Sequence, residues 1–485
     1  MDELKLTCSK VALFCLVLVS ICMLVYSTIK NVNEYLTYPI STESIFKIER
    51  DKKNFFPDII LCNHRVASLR QLQKHKLPQS SFNRSVDGNS IWQALKENRS
   101  VEIAKKHVDN VLWHNTEINY YSVGLMKMIG IPKEEFIIDC NIKDYISQEL
   151  VSCMEYIEDY FSNEYALCHK LSLPNQMKFT AGRIQSAVAG VRLNLYIKPE
   201  DASGLLSYLS GVRITIQDPS FPVIPQSEGI DIGPGNEISI KFKRFVHTKL
   251  SRHNFKCSEN WQQWSEKKRD FPGVKFSHSN FTCEQMCASK ILSELCDCVT
   301  LQIFSKDKEI CTSEDKCIID NKESIDKSVH ECHRIMCQTP CTINGYTHSS
   351  NQVAFPSNAF LPYFISELLT RKNISYGIRD SILRTFNTKH PTHFEHYDIL
   401  RKQFIHVHVY RGSAETEYIT ENLIYTSWSL LGNIGGNMGM FLGISLLGIL
   451  DLLIKFKNWI IAKFTQYFRK LKTDQRNAVQ VKEIA

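Results

Sequence analysis

The chain has 485 residues, 43% of them hydrophobic and 22% charged, with a formal net charge of +7. Residues 455–485 contain eight basic and two acidic side chains and so account for most of that excess. Because the rest of the chain is nearly neutral, it lacks the basic surface on which nucleic-acid binding depends, and no nucleic-acid partner is expected.

An uncharged apolar run occupies residues 11–29 and is preceded by Lys5 and Lys10. A secretory signal peptide begins in the same way, but this run is longer than the usual signal core and no small-residue cleavage site stands out. We therefore predict a first transmembrane helix over 11–29, with a short cytoplasmic segment at 1–10. If the run were instead a cleaved signal, the chain would be a single-pass, cysteine-rich receptor.

Residues 30–425 have the composition of an extracellular domain. Fourteen of the chain's cysteines lie there, ten of them between Cys257 and Cys341, a stretch with few long apolar runs. Such a stretch buries little core and is typically held by disulfides in an oxidising compartment, with structural zinc as the competing interpretation. Glycosylation sequons in the same region predict modification of Asn83, Asn98, Asn280 and Asn373.

Alternating apolar and polar residues predict three strands in this domain, and apolar spacing predicts three helices. The predicted strands are Val212–Gln217, Glu237–Phe242 and Phe404–Tyr410. The predicted helices are Ser90–Asn98, Glu284–Leu295 and Phe360–Arg371.

A second apolar run, Gly432–Ile454, contains six glycines, and Gly435, Gly439 and Gly443 repeat at every fourth residue. A helix of this length is about 34 Å long and crosses about 30 Å of hydrocarbon. Glycines suit a place where helices approach closely or where backbone carbonyls face a passing ion. We predict a transmembrane helix over 426–454, either as a pore lining or as an anchor with a helix-pairing face.

The basic segment 455–485 is predicted to be cytoplasmic, because Lys and Arg are enriched on that side of membranes. With two spans, both termini then share the cytoplasmic side. Aromatic residues alternate with lysines between 455 and 469, a mixture typical of contact with anionic membrane lipid.

Four ordered motifs resemble the degenerin, epithelial sodium channel and acid-sensing ion channel superfamily along nearly the whole chain. Tyr38-Pro39 follows the first span, and the segment 56–63 reads FPDIILCN. The cysteines 283, 287, 296 and 298 have the spacing of the family's thumb, and residues 430–445 read LLGNIGGNMGMFLGIS. The last motif is close to the LLGDIGGQMGLFIGAS pattern of acid-sensing channels.

The resemblance implies a membrane protein in which two transmembrane helices flank a large, disulfide-rich α+β ectodomain with palm, finger and thumb regions. The thumb would occupy about 257–341. Three subunits, identical or related, would form a plasma-membrane channel for sodium ions that amiloride blocks and that needs no cofactor. The disulfides that the resemblance implies, carried over in the order of the cysteines, are Cys62–Cys168, Cys140–Cys153, Cys257–Cys341, Cys283–Cys337, Cys287–Cys332, Cys296–Cys317 and Cys298–Cys311.

The same resemblance assigns roles along the second span. It implies a selectivity filter at Gly443, Ile444 and Ser445, a gate at Gly432, Asn433 and Gly436, and an acidic inner mouth at Asp451. The alternative for Asp451 is a carboxylate that snorkels to the membrane interface. Titration between pH 5 and 8 is typical of histidine, and crowded carboxylates bind protons more tightly than isolated ones. The candidate pH-sensing residues are His406, His408, Asp218, Asp320 and Asp326.

The chain departs from the family pattern at several positions. Ile444 replaces a small filter residue, Asn433 replaces an aspartate, and Ile40 replaces the histidine after Tyr-Pro. No His-Gly dipeptide precedes the first span, which predicts a differently built inner mouth or a need for a fuller partner subunit.

Two other classes of protein fit the sequence less well. An ATP-gated channel also has two spans and a disulfide-rich ectodomain, but it needs a cluster of phosphate-binding basic residues. An enzyme is not expected, because no Gly-x-Ser-x-Gly, His-Glu-x-x-His or phosphate-binding loop occurs. His406-Val-His408 lacks a nearby third ligand, so no metal site is predicted there.

Overall fold

The structure is a computed structural model. It describes residues 2–48, 56–76, 97, 123–143, 149–162, 164–177, 189–198, 209–218, 225, 229–252, 255–257, 280–300, 309–311, 315–337, 339–371, 374–387, 393–443, 447–448, 450–451 and 453–466.

The described helices and strands follow one another in this order. The helices are α1 (Asp2–Leu36), α2 (Leu69–Lys74), α3 (Val123–Ile129), α4 (Lys133–Phe136), α5 (Asn280–Leu295), α6 (Lys316–Met336), α7 (Leu361–Thr370), α8 (Tyr376–Asn387), α9 (His393–Arg401) and α10 (Ser427–Leu442). The strands are β1 (Ile40–Ile48), β2 (Asp58–Asn63), β3 (Ile137–Lys143), β4 (Leu150–Ser152), β5 (Ile157–Ser162), β6 (Ala166–Leu171), β7 (Val191–Tyr196), β8 (Val212–Gln217), β9 (Ile230–Ile232), β10 (Asn236–Thr248), β11 (Cys298–Val299), β12 (Glu309–Ile310), β13 (Thr342–Ala354), β14 (Phe404–Arg411) and β15 (Glu415–Leu423).

The chain divides into two compact units. The first comprises Met1–Glu43, Arg252–Phe255 and Glu421–Ala485, and it contains α1 and α10. The second comprises Ser44–Ser251 and Lys256–Thr420 and contains the sheets and the disulfides.

An eight-stranded sheet is built around β10 in the second unit. The strand order is β1-β15-β10-β14-β7-β3-β4, and β13 pairs with β10 on its other edge. The first half of β10 runs parallel to β14, its last four residues run parallel to β15, and its whole length is antiparallel to β13. Because β10 pairs with all three of these strands, it extends beyond the predicted Glu237–Phe242 at both ends.

A five-stranded sheet packs against the first one. Its order is β5-β6-β2-β8-β9, with the fully buried β2 at the centre. Ile59 and Leu61 of β2 share one apolar cluster with Ile240 of β10 and Val407 of β14. The main core therefore lies between the two sheets.

Helices α7, α8 and α9 form a second layer beyond β14. Leu368, Ile378 and Leu400 are buried in a cluster with Phe404, the first residue of β14. On the opposite face of β14 from Phe404, the side chains of Ile405, Val407 and Val409 lie in the core between the sheets. Strand β14 is thus covered on both faces.

Helices α5 and α6 pack side by side and are joined by Cys283–Cys337 and Cys287–Cys332. Five further disulfides are present among the described residues, and all seven are the pairs that the family resemblance implied. They are Cys62–Cys168, Cys140–Cys153, Cys257–Cys341, Cys296–Cys317 and Cys298–Cys311. Few residues of α6 are buried, so cross-links rather than an apolar core hold this pair of helices.

Among the described residues, one helix is long and apolar enough to cross a membrane, the stretch Phe14–Leu36 of α1. It ends seven residues beyond the predicted limit at residue 29, since the helix continues without a break to Leu36. Helix α10 has 16 residues and ends before Gly443. Beyond residue 446 the described backbone is helical again, at 447–448, 450–451 and 453–466.

The other predicted elements have these outcomes. Strand β8 has the predicted bounds, β14 extends one residue further, and α5 and α7 contain most of the two predicted helices. The predicted helix Ser90–Asn98 lies outside the described residues apart from residue 97.

Candidate ion pathway

The start of α10 is fixed by a cap and by a contact to α1. Thr426 has an extended backbone, and its hydroxyl accepts a hydrogen bond from the Ser429 backbone N–H at 3.1 Å. This satisfies one of the N–H groups that a helix leaves unpaired at its start. The Ser427 hydroxyl lies 3.2 Å from the hydroxyl of Tyr35, so the first turn of α10 contacts the last turns of α1.

The residues assigned to the gate present a small, open surface within the subunit. Outside its own helical turn, a Cβ atom placed on Gly432, Gly435 or Gly436 would meet no described heavy atom within 4 Å. Asn433 is held by its neighbour, because its side-chain amide donates a hydrogen bond of 2.7 Å to the Tyr425 hydroxyl. The glycines therefore do not serve the packing of α10 onto α1, and their surface is free to approach another helix.

A polar contact joins α1 and α10 further along the same helices. The Asn437 side-chain amide donates a hydrogen bond to the Ser27 hydroxyl at 2.7 Å, in a half-buried position. Interhelical hydrogen bonds of this kind contribute roughly 0.6 to 1.7 kcal/mol in membrane proteins. The bond fixes the register of the two helices.

Gly443 interrupts the second apolar segment. Its backbone is left-handed, with φ of +64°, and its N–H bonds to the carbonyls of Gly439 and Met438. A glycine adopts this conformation without the penalty that other residues incur, so the helix ends where the filter was predicted to begin. Ile444 and Ser445, the other predicted filter residues, lie outside the described residues.

Asp451, assigned to the inner mouth, is paired on its own helix. Its carboxylate lies 2.7 Å from the Lys455 ammonium, one helical turn further along the chain. Both side chains are otherwise well exposed, at 61% and 72%.

The loop after β10 carries a contact that sequence reasoning missed. The Arg252 guanidinium donates a hydrogen bond of 3.1 Å to the backbone carbonyl of Tyr38, and it also lies over the ring of Phe255. Tyr38 itself has a positive φ of 49°, an uncommon conformation for a non-glycine residue. The Tyr-Pro pair after the first span marked this place, but nothing marked Arg252 as its partner.

Of the candidate pH-sensing residues, His406 sits in the most developed network. Its Nδ1 lies 2.6 Å from the Asn194 side-chain oxygen, and the Asn194 amide donates to both carboxylate oxygens of Asp139 at 3.0 Å. Arg371, at the end of α7, also donates to Asp139. The ring of Phe355 packs against the imidazole with centroids 5.1 Å apart.

This environment keeps His406 neutral. Its pKa is lowered to about 4, mostly by burial and also by the nearby His408 and Arg192, while Asp139 opposes the shift. Burial also lowers the pKa of His408, whose Nε2 lies 2.9 Å from the Ala189 carbonyl. Protonation of His406 therefore falls below the pH range of 5 to 8 expected from an ordinary histidine.

The three candidate aspartates lie in different surroundings. Asp218 is buried directly after β8, whereas Asp320 and Asp326 are exposed on α6. Six residues apart on one helix, the last two are separated by about 9 Å along its axis. They do not form a carboxylate pair with each other.

A charged cluster in the five-stranded sheet was not predicted. Asp231 accepts a hydrogen bond of 2.6 Å from Arg213 and lies 2.9 Å from Nε2 of the buried His64. Burial lowers the pKa of His64, although Asp231 opposes that shift, and burial raises the pKa of the neighbouring Glu164. His64 directly follows the FPDIILCN motif, and this position was the one feature of the sequence that could have marked it as part of a cluster.

Known proteins identify the family of this chain. The sequence model of the amiloride-sensitive sodium channel family matches residues 3–454. The chain belongs to this family. Its members are ion channels rather than enzymes, so the absence of catalytic motifs agrees with the family.

Individual relatives are distant. The chain is 25% identical over 277 residues to acid-sensing ion channel 4-B of Danio rerio, a match covering 56% of this chain and 43% of the relative. It is 21% identical over 448 residues to acid-sensing ion channel 2 of the same fish, covering 90% and 75%. Against the epithelial sodium channel subunit alpha of Neoceratodus forsteri the identity is 21% over 272 residues, 54% of this chain and 37% of the relative. The first of these matches thus spans less than half of the relative's length.

Proposed function

We propose that this chain is one subunit of a trimeric, sodium-permeable and amiloride-sensitive cation channel of the plasma membrane. Residues 426–454 act as the second span and line the pore, and both termini are cytoplasmic. Membership of the amiloride-sensitive sodium channel family supports a cation channel. The observation that carries the proposal is the end of α10 at Gly443, within a long apolar segment.

The pore mechanism follows from that interruption. The described helix ends at Gly443, the first residue of the proposed filter of Gly443, Ile444 and Ser445. In a filter of this kind, backbone carbonyl oxygens replace part of the hydration shell of a small cation. Three such segments, one from each subunit, surround the permeating sodium ion.

The gate lies above the filter, at Gly432, Asn433 and Gly436. The uncovered surfaces of Gly432 and Gly436 support this placement, because three helices can approach closely only where their side chains are small. In the closed state the three α10 helices meet along these glycines. Opening separates them.

The ectodomain drives opening. Strand β14 leads through β15 into α10, and the cross-linked pair α5 and α6 gives the thumb the stiffness needed to transmit displacement. Protons, a peptide, mechanical force and a constitutive leak are the candidate stimuli. For proton gating through His406, the response falls near pH 4, because that is the pKa of its buried imidazole.

The test is expression of the chain in cells with little background conductance, followed by whole-cell recording under each stimulus. We expect an inward current that disappears when external sodium is replaced by a large organic cation and that amiloride blocks. Surface biotinylation shows that the protein has reached the membrane. A surface-expressed trimer without current, both as wild type and with Gly432→Val, would overturn the proposal, and a current evoked by ATP would favour the ATP-gated alternative.

A further inference from the structure

The helical segment that follows the proposed filter carries an intrahelical ion pair. Asp451 and Lys455 are four residues apart, and their charged groups are 2.7 Å apart. An acidic residue one turn before a basic one is the favourable orientation for such a pair on a helix. Lys463, further along, lies instead over the ring of Trp459, with 5.6 Å between its ammonium and the ring centre.

We infer that Lys455 is a specificity-determining residue of the proposed pore, because it cancels the charge with which Asp451 would concentrate cations at the inner mouth. The inference rests on the proposed function and concerns the same pathway. Three unpaired carboxylates would place three negative charges around the inner mouth. Three Asp451–Lys455 pairs place none.

The ion pair acts on permeation rather than on folding. Both side chains are well exposed, and exposed ion pairs contribute little to stability. Removing either partner therefore leaves the subunit folded while changing the electric field at the inner mouth. The effect of Lys455 on permeation can therefore be measured in a folded subunit.

The size of the effect follows from Coulomb's law with screening. Three unit charges about 8 Å from a cation, in water with a Debye length of about 8 Å, raise the local cation concentration roughly two- to threefold. Cations entering from the cytoplasm meet this field first, so the outward current reports on it. At an ionic strength of about 1 M, where the Debye length is about 3 Å, the effect disappears.

The experiment uses inside-out patches of the full-length chain carrying Gly432→Val, which supplies an open channel without a stimulus. Lys455→Gln is compared with its parent at low and high cytoplasmic salt. The matched control is Lys457→Gln, a lysine two residues away on the same helix. Asp451→Asn and the double variant Asp451→Asn with Lys455→Gln complete a cycle.

We expect Lys455→Gln to raise the outward unitary current two- to threefold at low salt and to leave it unchanged at high salt. Asp451→Asn lowers the outward current, the double variant returns to the parent value, and Lys457→Gln has no effect. An unchanged current in Lys455→Gln, or an equal rise in Lys457→Gln, would overturn this inference and leave the proposed function standing. If no variant conducts although all reach the surface, the proposed function fails, and this inference fails with it.

Discussion

Protonation of His406 is expected to destabilise the folded ectodomain by an amount that follows from the lowered pKa of its imidazole. Its pKa falls from 6.5 in an unfolded chain to about 4 in the fold. One pKa unit corresponds to 1.36 kcal/mol, so the full difference is about 3 kcal/mol. Because the folded-state pKa is the lower one, this stability is present above pH 6.5 and is lost as the pH falls towards 4.

The test compares the wild type with His406→Gln by thermal unfolding of the full-length chain in detergent at pH 7.5 and pH 4.5. Glutamine has no charge to gain, and its amide can still donate to Asn194. Over this pH interval the histidine accounts for about 2.5 kcal/mol. The second unit has about 370 residues, for which the entropy of unfolding is roughly 0.8 kcal/mol per kelvin. The acid-induced fall in Tm should therefore be about 3 °C smaller in the variant than in the wild type.

The control is His348→Gln, because His348 is exposed on the edge strand β13. This variant should retain the wild-type dependence of Tm on pH. His408, His64 and His169 also have pKa values lowered by burial, so some acid sensitivity persists in His406→Gln. Equal falls in Tm for the wild type and His406→Gln would refute the reasoning, because the imidazole would then not be held neutral by its surroundings.

Other predictions concern the proposed pore. Gly432→Val should raise the resting current several-fold at unchanged surface expression, because its added bulk would crowd the neighbouring subunits' helices, whereas a Cβ there meets no described atom of its own subunit outside its own helical turn within 4 Å. A normal resting current would contradict the gate assignment. Ile444→Ala should raise the sodium-to-potassium permeability ratio, read from reversal potentials, and an unchanged ratio would argue against a filter role. Asn433→Asp should increase the inward unitary current at low external salt by adding three charges at the outer mouth, and it fails as a prediction if high salt does not abolish the increase. Ser27→Ala and Asn437→Ala should each shift the ratio of open to closed channels by about threefold and by no more than about twentyfold, with the double variant no different from either single one.

Hydrophobic patterns within single segments of the sequence predicted several of the strands and helices. The alternation in β8 and the apolar spacing in α5 and α7 gave elements close to those observed. Helix α6 was not predicted, although its sequence is amphipathic, because its overall composition is polar and most of its residues are exposed. Its attachment to α5 is through cystines, whose pairing hydrophobic periodicity does not report.

The histidines of β14 show the same limit at the candidate site. Alternation placed His406 and His408 on one polar face, which on a half-buried strand would be the solvated one. Helices α7 to α9 cover that face, and no pattern within β14 reveals a second layer contributed by residues 361–401. The burial that sets both pKa values could therefore be found only in the fold.

Motif similarity predicted the break at Gly443 but not the contacts that position the helix carrying it. Ser27 and Asn437 are 410 residues apart in sequence, and neither belongs to a recognisable pair. The same holds for the contacts between Tyr425 and Asn433 and between Arg252 and Tyr38. They depend on how the chain folds, and the composition of the sequence does not reveal them.

Strand β2 illustrates how a covalent bond can make up for an ambiguous sequence. All six of its residues are buried, so a slip by one position would still leave apolar side chains on both faces, and burial discriminates weakly between the two alignments. Cys62 lies directly opposite Cys168 on β6 and is bonded to it. This bond therefore selects the observed register, because strands β2 and β6 aligned one residue out of step would not place Cys62 opposite Cys168, and the bond could not close.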